Sequence, residues 1–181
     1  MSLFSRNKIS FKIIDTVYVS AIAKWKACAN TAAKNATTVF IAWFPETLQQ
    51  LEAYFSAHST IKPTTLLYRN ANSFNTKDKN IIFVEHYPLP KKETDLFVSL
   101  TLAAAHVYSS LDEPLFMHFG GEKMIELLSK LGMKEDEPLE NTMITKALHN
   151  AQEKIAAKVT LEQSATAQAE WFRKNLPGST H

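Results

Sequence analysis

Glycine is scarce in this chain: there are four among 181 residues, the first of them at position 120, where about 7% usage would give roughly a dozen. Loops that cradle phosphate need glycine, because the backbone must reach positive φ and bring successive N–H groups to an anion without a Cβ in the way. Neither G-x-x-x-x-G-K-[ST] nor G-x-G-x-x-G occurs, which excludes a self-sufficient nucleotide site of either common type. Cysteine is nearly absent as well. Cys28 stands alone, so no intramolecular disulfide can form, no Cys/His cluster has zinc spacing, and a reducing cytoplasm is the expected compartment. Long apolar runs are missing too. Arg6, Lys8 and Lys12 interrupt MSLFSRNKISFKII before it reaches signal-peptide length, and no stretch approaches the roughly 20 apolar residues that cross a bilayer. A soluble, unexported protein without a transmembrane segment is expected.

Hydrophobic side chains make up 45% of the sequence, which suffices for one buried core and would crowd two. With 21% charged residues and a net charge of +2, nothing calls for nucleic acid as a partner. The sum hides an asymmetry. Residues 1–90 carry ten Lys/Arg and five Asp/Glu, a balance of +5, whereas residues 91–181 carry ten and thirteen, a balance of −3. Such a split either steers a partner or is a neutral feature of two solvated surfaces.

Along the chain, residues 11–19 (FKIIDTVYV) predict a strand. Ser20 is then an N-cap for a helix through about Lys34, with an inward stripe of Ile22, Trp25, Ala29 and Ala32. Thr37 to Phe44 is a nearly continuous apolar run stopped by Pro45, the pattern of a strand covered on both faces. Leu48, Leu51, Tyr54 and Phe55 give a second helix to about His58, and Thr64–Tyr68 and Asn80–Val84 are two more short strands. Strands alternating with helices imply an α/β sheet with right-handed crossovers. A glycine-free stretch from about Lys91 to Tyr108 reads as one long helix. Beyond Pro114 the chain reads as helical. Met124, Leu127, Leu128 and Leu131 mark one helix with Gly132 at its C-terminus, and the acidic residues from Glu135 to Glu140 precede the next. That next helix carries Ile144, Leu148, Ala151, Ile155 and Val159, and a last helix carries Trp171 and Phe172 before a frayed end at 177–181.

Four segments, in order, resemble the second nucleotide-binding lobe of SecA, the preprotein translocase ATPase, and the start of its helical scaffold. Asp15-Thr16-Val17-Tyr18 with Ala23-Lys24-Trp25-Lys26-Ala27 is similar to the family's D-[LIV]-[VI]-Y and A-K-[FW]-x-A. Val39 to Phe44 resembles its next apolar strand. Ser110-Leu111-Asp112-Glu113-Pro114-Leu115-Phe116 with Phe119-Gly120 resembles S-L-[ED]-D-x-L-[ML]-x-x-F-G. Leu128 to Lys154, LSKLGMKEDEPLENTMITKALHNAQEK, follows the family's pattern almost residue for residue. The resemblance spans about residues 13–158.

It implies an α/β fold: a small, mostly parallel sheet flanked by helices, helicase-lobe or Rossmann-like, over residues 1–120. A helical extension over 121–181 would pack on it as one compact unit. The departures from the family matter as much. The lobe that brings the phosphate loop and metal carboxylates has no counterpart here. The arginine-bearing segment Q-L-R-G-R-A-G-R falls opposite Phe97 to Ala104, where three cationic positions and two glycines have become apolar. Preorganised arginines that meet charge developing on a γ-phosphate supply much of the rate in such motors, so no catalytic residue, cofactor or metal is expected. Lys91 and Lys92, at the position of basic family residues, suit a solvated helix start better than a phosphate clamp.

The remaining candidates lie where the strands end, the usual ligand edge of an α/β sheet. Glu85 and His86 could form an acid/base pair or be structural. Asp112 and Glu113 could ligate a metal or satisfy backbone donors in a turn. Trp43, Phe44 and Tyr87 could form an aromatic patch at this edge, open to a protein partner once no nucleotide or second lobe is there. The leading expectation is a non-catalytic module that docks on another protein through this edge or its helical tail, with homo-oligomerisation left open. Binding of a nucleotide or small ligand, a self-contained enzyme built on Glu85 and His86, and a subunit completed in trans are the other readings.

Overall fold

The computed structural model of the chain describes residues 12–139 and 142–178. The N-terminal charges Arg6 and Lys8, the start of the first expected strand at Phe11, Glu140 of the acidic run, and Ser179 to His181 of the expected frayed end lie outside the described residues. Five strands, β1 (Lys12–Tyr18), β2 (Thr38–Ala42), β3 (Thr64–Leu67), β4 (Asn80–Phe83) and β5 (Ala104–Ser110), form one sheet in the order β1-β5-β4-β2-β3. Every pairing is parallel. A parallel sheet needs cover on both faces, and β2, whose five residues are all buried, shows the result.

One face is covered by α1 (Ala21–Lys34) and α2 (Pro45–His58), which bring Trp25, Cys28, Leu51 and Phe55 onto Phe40, Ala42, Ile82 and Val84. The other face meets α4 (Pro90–Ser99), α7 (Thr142–Ala156) and α8 (Gln168–Asn175), where Phe97, Leu148, Ile155 and Trp171 pack on Val39, Ile41, Phe83 and Val107. The C-terminal extension therefore shares the core of the sheet. Helix starts follow their local chemistry. Ser20 accepts the N–H of Ala23, and prolines open α2, α4 and the short α5 (Pro114–Met117), where the missing N–H costs nothing. A further one-turn helix, α3 (Ser73–Thr76), lies between β3 and β4. Among the described residues no helix is long and apolar enough to cross a membrane.

Three local expectations are corrected. The stretch from Lys91 to Tyr108 is not one helix: α4 ends at Ser99, and residues 104–110 form β5 in the middle of the sheet. Thr101 makes the turn, at φ 58°, with its N–H on the Val98 carbonyl and that of Leu102 on the Phe97 carbonyl. This is the Schellman arrangement, which ordinarily takes glycine. On α1, Ile22 is 69% exposed rather than inward, and Lys24 is buried instead. On α6 (Gly121–Lys130), Met124, Leu127 and Leu131 face solvent rather than the core. Gly132 ends α6 as expected, at φ 74° with N–H bonds from Gly132 to Ser129 and from Met133 to Leu128. At Gly121 a Cβ would stand 2.5 Å from the Leu111 carbonyl oxygen, so the joint between α5 and α6 admits no side chain there.

Candidate functional site

A parallel sheet gathers all strand ends at one edge, and here that edge holds two buried ionic clusters, one toward each helical layer. β4 ends at Phe83 and the chain bends through Val84 and Glu85. Glu85 belongs to the α1/α2 side. Its Oε1 accepts the N–H groups of Trp43 and Phe44, both at 2.9 Å, and its Oε2 accepts the Thr47 hydroxyl at 2.7 Å. Phe44, the N-cap of α2, has no side-chain oxygen; Glu85 takes up the N–H of the N-cap itself, and the Thr166 carbonyl takes up that of Glu46 in the first turn at 3.0 Å. Burial pushes the Glu85 carboxyl up to about 7, with Lys24 opposing and Glu113 adding to the rise.

Beside it, the Lys24 ammonium is 1% exposed as a residue and donates to Glu113 at 2.5 Å and to the Val84 carbonyl at 2.8 Å. It also sits 4.1 Å from the centroid of the Trp25 ring. Glu113 in turn accepts the N–H of Ser110 at 2.9 Å, and Asp112 accepts that of Ala21 at 2.9 Å. Asp112 and Glu113 thus do what the turn reading expected, taking up backbone donors.

On the α4/α7 side, His86 Nδ1 lies 2.9 Å from Glu93 Oε1 and Nε2 lies 2.9 Å from Asp15 Oδ1. With a carboxylate at each nitrogen the ring carries both protons. Burial works against this charge, but Glu93 and Asp15 outweigh it and raise His86 to about 10. Burial likewise raises Asp15, and the hydrogen bond and charge of His86 reverse that and lower it. Glu93 also accepts the Tyr87 N–H at 2.7 Å and, through its second oxygen, the Gln152 amide at 2.9 Å. A cleft of about 440 Å³ opens next to this cluster, lined by Asp15, His86, Thr94, Thr145 and His149 among others.

The aromatic residues are brought together as expected, but inside the molecule. Trp43 lies 5.2 Å from Tyr87 and Phe44 lies 5.4 Å from it, ring centre to ring centre. Trp43, Phe44, Glu85, His86 and Tyr87 are all buried, because the C-terminal extension covers the edge. Gln152 donates to the Tyr87 carbonyl, and Gln168 donates to the His86 carbonyl while accepting the Leu115 N–H. Trp171 meets the Tyr87 ring at 6.2 Å, and Glu162 accepts both the Tyr87 hydroxyl and the Trp171 indole N–H. The edge expected to be free is occupied by the chain itself.

Chemically, both clusters are committed. His86 has no lone pair to accept a proton, and Glu85 and His86 do not touch as a pair. Among the described residues no group of three or more His, Cys, Asp or Glu is arranged to hold a metal. A crevice of about 220 Å³ remains at the edge, between the N-termini of α1 and α2. Glu46, Glu85, Asp112 and Glu113 line it against one ammonium, Lys24, which is already paired. Sequence reasoning left out Asp15, Lys24, Glu93, Gln152 and Gln168 as site residues. Asp15 and Lys24 did carry a signal, a charge inside an otherwise apolar strand or helix face. The two glutamines carried none.

No protein-family profile matches the chain. It is similar to the protein translocase subunit SecA of Syntrophobacter fumaroxidans, 42% identical over 55 residues, which is 30% of this chain and 6% of that protein. The SecA of Maridesulfovibrio salexigens is 46% identical over 48 residues, 26% of the chain and 6% of the relative. That of Acidithiobacillus ferrooxidans is 45% identical over 51 residues, 28% and 6% respectively. The chain thus contains a SecA-related region, and the similarity spans 6% of the length of each of these curated relatives.

Proposed function

We propose that this chain, with its SecA-related region, is an accessory or protein-interaction module connected with protein translocation that acts without hydrolysing a nucleotide. The observation that carries this reading is the charge of the crevice at the carboxyl edge of the sheet. Glu46, Asp112, Glu113 and the partly neutral Glu85 surround one engaged lysine there, which leaves no free positive charge for a triphosphate, whereas phosphoryl transfer needs uncompensated positive charge at that place. The near absence of arginine supports it: the whole sequence has three, at positions 6, 69 and 173.

With the sheet edge covered, the helical tail is the remaining docking surface of the two expected. Leu127 and Leu131 of α6 and its C-cap are 52% and 72% exposed, an apolar pair of the kind that marks contact surfaces. A cytoplasmic location accompanies this reading.

Purified protein is expected to show no ATP turnover above buffer, and millimolar ATP, ADP or GTP is expected to leave the NMR signals of Thr47 and Asp112, which line the crevice, unshifted. Turnover that scales with protein concentration overturns the proposal. A saturable shift of those crevice signals without turnover moves it to the alternative, a nucleotide or small-ligand binding protein. For the docking half, Leu127→Ser with Leu131→Ser should abolish a specific partner interaction while leaving the melting temperature within a few degrees. Retention of that interaction in the variant excludes α6.

A further inference from the structure

The parallel sheet also collects the strand starts at one end, and that end is basic. Lys12 pairs with Ala104, Ile82 with His106, and Thr38 with Asn80, so Lys77 and Lys79, just before β4, share an end with Lys12. A cavity of about 600 Å³ opens there, lined by Lys77, Lys79, Asn80 and His106 together with Asp78 and Thr101. Lys24, Lys26, Lys91, Lys92 and Lys174 all have carboxylate partners, whereas Lys77 and Lys79 form no ion pair among the described residues. Among the described residues, Asp78 is the one carboxylate lining the cavity.

The backbone that presents these lysines is held in place. Asn72 accepts the N–H groups of Phe74 and Asn75, the Asn75 side chain accepts from the Asn72 N–H and donates to the Asn70 carbonyl, and Thr76 is tied to the Asn72 carbonyl. The two non-glycine residues with positive φ among the described ones, Asp78 at 57° and Thr101 at 58°, both line this cavity. That conformation is disfavoured for a β-branched residue and is retained where surrounding structure or function holds it.

We propose that this cavity binds a phosphate group, with Lys77, Lys79 and His106 as its donors. Recognition would rest on ammonium point charges rather than on a glycine loop. The phosphate can belong to a soluble ester or to a lipid headgroup. Phe74, 97% exposed and adjacent to cavity-lining Ser73, would enter the apolar layer in the second case.

The probes are glycerol 3-phosphate, followed by NMR at the amides of Lys77 and Lys79 and the His106 ring, and phosphatidylcholine vesicles with and without phosphatidylglycerol, followed by co-sedimentation. Saturable binding in either arm is expected, weakened at least about tenfold in the Lys77→Gln, Lys79→Gln variant and by added salt. The melting temperature of that variant verifies its fold. Phe74→Ala should reduce vesicle binding and leave the soluble ester unaffected, which separates the two sources. The proposal is overturned if the intact protein binds neither probe, or if the lysine variant binds as well as the parent.

Discussion

Glu85 and His86 are neighbours in the chain whose side chains serve opposite layers: Glu85 takes up backbone donors at the start of α2, and His86 bridges Asp15 on β1 to Glu93 on α4. A dipeptide that reads as an acid/base pair is instead the fastening point of two separate ionic clusters. Each cluster ties the sheet to a helical layer, so removing either partner strands a buried charge.

His86→Ala leaves Asp15 and Glu93 buried without their cation and should cost about 3–5 kcal/mol, read by urea denaturation. The pH dependence has a defined sign. His86 is raised from 6.5 to about 10, so its contribution is complete below about pH 6.5 and is lost as pH climbs through about 10. Glu85, raised from 4.5 to about 7, has the same sign, its contribution being complete below about pH 4.5 and lost by about pH 7. Asp15, lowered from 3.8, has the opposite sign and loses its contribution as pH falls below that value. Stability should therefore decline on the alkaline side, and the decline between about pH 7 and 9, below the range where the buried Cys28 thiol and Tyr87 add their own, should be absent from His86→Ala. A parent protein whose stability is flat between pH 7 and 9 contradicts the imidazolium assignment.

Lys24 and Glu113 form the second buried pair. Lys24→Met alone should destabilise by about 3–5 kcal/mol, because Glu113 keeps its charge beside Glu85, while Lys24→Met with Glu113→Leu should recover most of that loss. A double variant as unstable as the sum of the singles shows that the two residues do not act as a pair.

Thr101 occupies the left-handed position that closes α4. Thr101→Gly relieves a conformation that costs a β-carbon residue about 1–2 kcal/mol and gives back about 0.5–1 in unfolded-chain entropy. A net gain of about 0.5–1 kcal/mol is expected in the denaturation midpoint. Loss of stability on this substitution means the threonine side chain is needed there.

Trp171 is fully buried against Tyr87. Trp171→Ala should cost about 3–5 kcal/mol and melt the sheet and the extension in one transition, seen alike by far-UV circular dichroism and by fluorescence of the remaining tryptophans. Two separated transitions would make the extension an independent unit.

The first half of the fold was legible because its signals are local. The apolar run from Val39 to Phe44 stopped by Pro45 marks a doubly covered strand, and Ser20 marks a helix start. β5 was missed because its ending signal is missing: Ala103 to Ala105 favour helix, and Thr101 stands where a glycine would have announced the turn. Ile22 and Lys24 exchanged their expected environments for a reason no window on α1 contains, since the carboxylate that accepts Lys24 lies 89 positions further on.

By the alternation of its apolar patterns the sequence determined an α/β chain, and it contains neither of the two common glycine-loop motifs nor a cluster among its three arginines. Only the tertiary structure decided the rest. Parallel pairing brought carboxylates to one end of the sheet and to the other Lys77 and Lys79, without an ion pair among the described residues, and Gln152, Gln168 and Trp171 closed over the edge that the sequence had left open. Those outcomes depend on distances between residues far apart in the chain, and charge and burial are properties of neighbourhoods in space.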